Sequence, residues 1–378
     1  MSAMNCCGEH AGAVSDPVFV LCTGRSGSTL LRFLLDSHPD LACPPEFRLP
    51  MVVTQLTSLC LSFEQYPLPA ERGNGTAALS AAAVVRIRET VDQTIGPYLA
   101  RRGKKRYCDK NLGTEQFADT LASVYPDAKF ICLYRHPMDM VASGIEACPW
   151  GLANYSFEPY VAASPGNSVL ALARYWADHT AAILSVEEKF PSRCHRVRYE
   201  DLVADPDGVM TEVFEFLGLP PVPEISRACF SAERERFGPG DFKIWNTSQV
   251  ETDSAGRGWL VPVSMIPSPV KTSVNEIAEK LGYAQIDSAW GTAQRPAQGG
   301  QSGPMSSVTG RIENRIQAGL RRLDVSSPMR GGRIQRNRSS WSPWRPAAPA
   351  TTCGGVWTSP DAPPSPAPGA VTSRPGGT

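Results

Sequence analysis

The chain has 378 residues, 42% of them hydrophobic and 8% aromatic, with no formal net charge, enough for one large globular domain carrying an appendage. No run of about 18 apolar residues and no basic leader followed by an apolar stretch occurs, so no transmembrane anchor and a cytoplasmic location are expected. The neutral balance conceals an asymmetry: from residue 291 on there are eleven arginines against Glu313, Asp324 and Asp361, so the tail is basic and the body acidic.

Residues 1–16 are expected to be a flexible N-terminus, residues 17–290 the folded domain, and residues 291–378 a disordered tail. Pro, Gly, Ser and Arg dominate that tail, and such a composition buries too little apolar surface to offset chain entropy. Within it, Ile312, Ile316 and Leu320 recur at helical spacing, so a short helix over residues 310–324 is predicted. A basic tail can meet nucleic acid or an anionic surface, but a solvated extension is the simpler reading, and no nucleic-acid partner is expected. Several of the eleven cysteines, Cys22, Cys132 and Cys194, fall inside apparent core strands, which fits free thiols better than a disulfide framework. Cys6, Cys7, Glu9 and His10 lack the paired spacing of a zinc site.

In chain order, residues 17–22 (PVFVLC) form a continuous apolar run typical of a strand buried on both faces. A Gly/Ser turn leads into a helix over about residues 28–37, which His38–Asp40 (HPD) closes. A long helix follows around residues 80–101, then a short strand at 106–110 and a helix at 114–125. Residues 129–134 (KFICLY) make a second core strand that feeds a helix from Pro137, a residue suited to the first turn. A helix over 168–189, a strand over 194–199 and a helix over 207–217 complete the pattern. Strands alternating with helices predict a three-layer α/β/α, P-loop-like fold with a central parallel sheet.

The turn Thr23-Gly24-Arg25-Ser26-Gly27-Ser28-Thr29-Leu30 joins the first strand to the first helix, where free amides make an anion site. Gly24 and Gly27 permit close backbone approach, Ser28 and Thr29 add hydroxyls, and Arg25 adds a forked cation. An ordinary capped turn has the same composition. A nucleotide triphosphatase loop needs four residues between its glycines and then Gly-Lys-Ser/Thr; here only Arg25 and Ser26 stand between Gly24 and Gly27.

The stretch GRSGSTLLRFLLDSHPD resembles the 5′-phosphosulfate loop of sulfotransferases, with Arg where the cytosolic steroid and phenol enzymes have Lys. Its continuation LLDSHPDLACPPEFRLP is similar to the tyrosylprotein sulfotransferases and their bacterial relatives. YRHPMDMVASG resembles the family's 3′-phosphate motif, which implies that Arg135 and Ser143 hold that phosphate. RYEDLVADPDGVMTEVFEFLGLP resembles another family segment, implying that Tyr199 packs near an adenine. The resemblance runs over residues 18–283 and implies the donor 3′-phosphoadenosine 5′-phosphosulfate, with Arg25, Ser26, Gly27, Ser28, Thr29 and Leu30 around its 5′ end.

For the chemistry, the resemblance places Lys110 against the transferring group and aligns Glu46 with the base of the tyrosylprotein enzymes, in a Pro-Pro-Glu setting where they have Gly-Glu-Glu. Arg25 suits the developing charge on the leaving phosphate, and no metal is required. His38 is an alternative base, though its HPD turn reads as structural. Arg257 and Gly258, in the turn GRGW, are candidates for a late segment closing over the donor.

The expected reaction is in-line sulfuryl transfer to a hydroxyl of a small molecule, lipid or peptide. The alternatives are a P-loop-type ATP-dependent phosphotransferase and a non-catalytic nucleotide-binding protein. Residues 47–75 and 148–166 stand where acceptor loops fall in this fold, and Trp150, Tyr155, Phe157 and Tyr160 suit an apolar or aromatic acceptor. The oligomeric state is not legible.

Overall fold

The structure, a computed structural model, describes residue 14 and residues 16–64, 79–147, 155–231, 247–287 and 290. The predicted tail with its helix at 310–324, the cysteine cluster near the N-terminus and Trp150 lie outside the described residues. All described residues fall in one unit, Met1–Ser327.

Five strands, β1 (Val18–Cys22), β2 (Leu41–Ala42), β3 (Arg106–Lys110), β4 (Lys129–Tyr134) and β5 (Cys194–Arg198), form one parallel sheet in the order β2-β3-β1-β4-β5. The helices are α1 (Ser28–Asp36), α2 (Leu49–Glu64), α3 (Ala81–Arg102), α4 (Ala118–Val124), α5 (Pro137–Ala147), α6 (Glu158–Ala163), α7 (Ser168–Lys189), α8 (Tyr199–Ala204), α9 (Pro206–Leu217), α10 (Ile225–Ser231) and α11 (Ser268–Lys280).

Alternation along β1 sorts its side chains into two layers, because successive residues of a strand face opposite ways. Phe19 and Leu21 join Phe130 and Cys132 of β4 in a core covered by α3, α4, α5, α7 and α11. Val18, Val20 and Cys22 join Ile131, Leu133 and Val197 in a second core covered by α1, α9 and α10. The fold is therefore the expected α/β/α sandwich. Cys22, Cys43, Cys108, Cys132 and Cys229 are free and buried, and burial pushes the Cys22 thiol up to about 12.

Several elements differ from expectation. The single helix expected at 114–125 is a 3-10 turn, Thr114–Phe117, followed by α4. Tyr199 does not end a strand; it opens α8. The region read as an acceptor loop from residue 47 contains α2, whose Val52, Leu59 and Phe63 are exposed. With apolar residues outside as well as inside, α2 lacks the one-sided period by which a helix is recognised. No described helix is long and apolar enough to cross a membrane.

Candidate active site

Ligands in open α/β folds gather at the carboxyl ends of the strands, and here those ends floor a cleft of about 820 Å³. Arg25 and Gly27 line it from the turn after β1, Ser28, Thr29 and Leu30 from the start of α1, Lys110 from the end of β3, Arg135 from just after β4, Ser143 from α5, and Tyr199 from the start of α8 just after β5. Glu46, ahead of α2, completes the group. The topology thus brings together residues spread over most of the domain.

The turn after β1 is held from several sides. Its Gly24 amide donates to the Tyr175 hydroxyl at 2.9 Å, and the Ser26 hydroxyl donates to the Thr23 carbonyl at 2.8 Å. Ser26 is thereby turned inward, and its side chain does not reach the cleft. Gly27 has φ 92°, and a Cβ there would lie 2.2 Å from the Tyr199 ring, so glycine is required twice over. Arg25 (φ 64°), Arg48 (φ 58°), Tyr155 (φ 61°) and Ser156 (φ 64°) also adopt left-handed backbone, and all four line the cleft. Non-glycine residues held this way concentrate at functional sites.

Two cationic positions meet beneath the cleft. Arg25 donates from Nε to the Ser143 hydroxyl at 3.3 Å and from Nη1 to the Tyr155 hydroxyl at 3.3 Å. Arg135, only 3% exposed, donates from Nη1 to the Arg25 carbonyl at 2.8 Å and from Nη2 to the Ser254 carbonyl. Its guanidinium lies over the Tyr199 ring, 4.2 Å from the centroid. Burial lowers the Arg135 pKa, and its Nε is buried without a hydrogen-bond partner. The carbonyl of Arg135 accepts from the Trp176 indole at 2.9 Å, fixing the strand end.

On the far side, Lys110 Nζ contacts Glu46 Oε1 at 2.5 Å. Lys110 is 2% exposed and Glu46 21%, so the pair is sheltered yet reachable. Neighbouring Asp109 is buried and accepts from the Tyr107 hydroxyl at 3.3 Å and from the Asn111 amide. Burial pushes its carboxyl up to about 6.

Three candidates sit elsewhere. His38 is fully buried, with Nε2 3.0 Å from the Pro220 carbonyl and Nδ1 accepting the Asp40 amide at 3.0 Å. Both ring nitrogens are engaged, and the residue is a structural clasp away from the cleft. Arg257 pairs with Glu146 at 2.6 Å, and the Gly258 amide donates to Asp139 at 2.5 Å. Neither lines the cleft, because Asp139 also takes the Gly256 amide at 2.6 Å and draws that turn onto α5. From the same segment it is Ser254 that lines the cleft.

Sequence reasoning missed Asp139 and Glu200. Glu200 accepts the His136 amide and the Tyr283 hydroxyl, both at 2.9 Å, and so ties the ends of β4 and β5 together. Its position beside Tyr199 in a YED run was the available signal. Of the aromatic candidates, Tyr155 lines the cleft, whereas Phe157 is buried edge-on to Tyr175 at 4.7 Å.

The profile of the sulfotransferase family matches residues 17–224, more than half of the chain. This chain belongs to the sulfotransferase family. It is 29% identical over 287 residues to the nodulation protein NoeE of Sinorhizobium fredii, covering 71% of this chain and 66% of that protein. It is 26% identical over 207 residues to a protein-tyrosine sulfotransferase of Drosophila melanogaster, covering 54% of this chain and 38% of that protein. The chain thus spans less than two thirds of either relative's length. Among solved structures, a sulfotransferase domain from the curacin biosynthetic pathway superimposes with a TM-score of 0.52 at 23% identity, covering 72% of this chain and 99% of that domain. That likeness concerns the fold. Part of this sulfotransferase's cleft, including Val250, Glu251 and Ser254, lies beyond the matched stretch.

Proposed function

We propose that this sulfotransferase moves a sulfuryl group from 3′-phosphoadenosine 5′-phosphosulfate to a hydroxyl of a small-molecule, lipid or peptide acceptor by in-line displacement. The observation that carries the proposal is the pairing of two anion grips on one cleft: the turn after β1, and Arg135 with Ser143 at the end of β4. A donor with a 3′-phosphate as well as a 5′-phosphosulfate needs two such grips, and ATP needs one. The orphaned Arg135 Nε fits this reading, since a phosphate oxygen would complete its hydrogen bonding.

In this reading the turn amides with Ser28 and Thr29 hold the 5′ end, Arg135 and Ser143 hold the 3′-phosphate, and Tyr199 offers an aromatic face to the base. Arg25, whose forked donors already bridge Ser143 and Tyr155, stabilises charge developing on the leaving phosphate. Glu46 accepts the proton of the acceptor hydroxyl. An oxygen engaged by an ammonium accepts a proton poorly, so Lys110 must shift from Glu46 towards the sulfuryl oxygens as the donor settles. That exchange would couple donor binding to release of the base. No step in this scheme draws on a metal ion.

The free buried thiols support a reducing, cytoplasmic setting. The test is calorimetric titration with adenosine 3′,5′-bisphosphate against ATP plus magnesium. Tight binding of the bisphosphate alone is expected; preference for ATP would replace this reading with a phosphotransferase.

A further inference from the structure

The order of the strands sets the order of the sites along the cleft. Passing across the sheet, β5 leads into Tyr199, β4 into Arg135, β1 into the turn with Arg25, and β3 ends at Lys110, which meets Glu46. On the donor reading above, the β3 end is where the acceptor sits. The 3-10 turn that follows β3 carries Glu115, which that reading leaves without a task.

The Glu115 side chain is fully buried, and its Oε1 lies 2.5 Å from His179 Nδ1 on α7. The second carboxylate oxygen is buried with no hydrogen-bond partner. A carboxylate is costly to desolvate, and this one meets an imidazole on the cleft wall instead of a guanidinium in the core. An ionised carboxylate only accepts, so Nδ1 is the donor, and in the neutral ring Nε2 keeps its lone pair. Nε2 has no hydrogen-bond partner among the described residues. The ring is held by Tyr175 at 4.4 Å and Tyr160 at 6.1 Å between centroids. Tyr175 also receives the Gly24 amide of the phosphate turn, so His179 is registered one helical turn from the donor site. Thr114, Gln116 and Phe117 line the cleft beside it.

We infer that Glu115 and His179 form a fixed hydrogen-bond acceptor at the acceptor end of the cleft, selecting molecules that carry a second O–H or N–H donor besides the reacting hydroxyl. His179 is thus a specificity-determining residue and Glu115 a positioning residue that sets its tautomer. The inference rests on the proposed sulfotransferase chemistry only for which end receives the acceptor.

The test uses the full chain saturated with adenosine 3′,5′-bisphosphate, with phenol compared against catechol, resorcinol and hydroquinone, which place a second hydroxyl at three different distances. Binding is read by saturation-transfer NMR and calorimetry, so no turnover is needed. One of the dihydroxybenzenes should bind about tenfold more tightly than phenol, the equivalent of one net hydrogen bond. His179→Ala should abolish that difference while leaving bisphosphate affinity unchanged, and His179→Gln, with an amide oxygen to accept, should restore part of it. A wild-type protein that binds the bisphosphate but shows no preference for a second hydroxyl, or a His179→Ala protein that keeps the preference, overturns the inference. Failure of the bisphosphate itself to bind would overturn the donor reading and this inference with it.

Discussion

The two halves of the cleft are built differently. On the β4 and β5 side, Arg135 and Ser143 are buried, and Arg135 is locked by backbone carbonyls and an aromatic face. On the β3 side, Glu46, Arg48, Pro50 and Met51 line the cleft from the start of α2 and the residues just before it, and Met51 is exposed. A charged, fixed ligand requires preorganised donors that are expensive to rearrange. An acceptor whose body varies is better met by apolar surface that contributes without directional demands. On the proposed reading, the donor is held by rigid contacts, and the exposed apolar residues of α2 can vary without disturbing the fold.

The contrast can be broken most severely on the chemistry itself. Glu46→Gln should lower turnover by on the order of 100- to 10,000-fold while bisphosphate affinity measured by calorimetry stays within about twofold; an unchanged rate would remove Glu46 as the base. Next, Arg135→Ala should weaken adenosine 3′,5′-bisphosphate by about 100-fold and the 5′-monophosphate far less. Equal losses would mean that Arg135 supports the cleft without holding a 3′-phosphate.

Two changes sharpen the comparison through stability. Gly27→Ala would drive a Cβ into Tyr199 at 2.2 Å and should cost about 2 kcal/mol, read as a lower urea midpoint. A smaller side chain at position 199 should recover part of that loss. Asp109, on the β3 side, carries a folded pKa of about 6 against an ordinary 3.8. The native state therefore holds its proton more tightly, and stability should fall by roughly 3 kcal/mol as pH rises from about 4 to about 6. Asp109→Asn should flatten that part of the stability curve, and an unchanged slope would place the effect elsewhere. The smallest expected effect is truncation after Gln294. If the donor half is self-sufficient, bisphosphate affinity should stay within about twofold; unfolding would show that the rest of the chain belongs to the core.

The two halves also differ in how legible they are in the chain. On the proposed reading, the donor half is carried by short contiguous runs, GRSGST, YRHPMDMVAS and RYEDL, each beginning at or just after the end of a strand. Local pattern and chemistry coincide there, so Arg25, Arg135, Ser143 and Tyr199 stand out from residue order alone. Leu49–Glu64 does not read as α2, because a helix apolar on its open face has no one-sided period. Arg257 and Gly258 have the look of phosphate ligands in a Gly-rich basic turn, yet Asp139 and Glu146 on α5 claim them. That competition is invisible without the packing of the turn on the helix.

By itself, the sequence determined the layered parallel fold, because apolar five- and six-residue runs alternating with amphipathic helices can bury their surfaces in few other ways. It also singled out the turn that the proposed reading assigns to an anion, since that property is local to a strand–glycine–helix junction. Only the tertiary structure decided the rest: that Lys110 meets Glu46, that His38 is clasped by Pro220, and that His179 leans on a buried Glu115. Each of these contacts joins residues distant in the chain, and their meeting in space follows from strand order and helix packing, which no local pattern encodes.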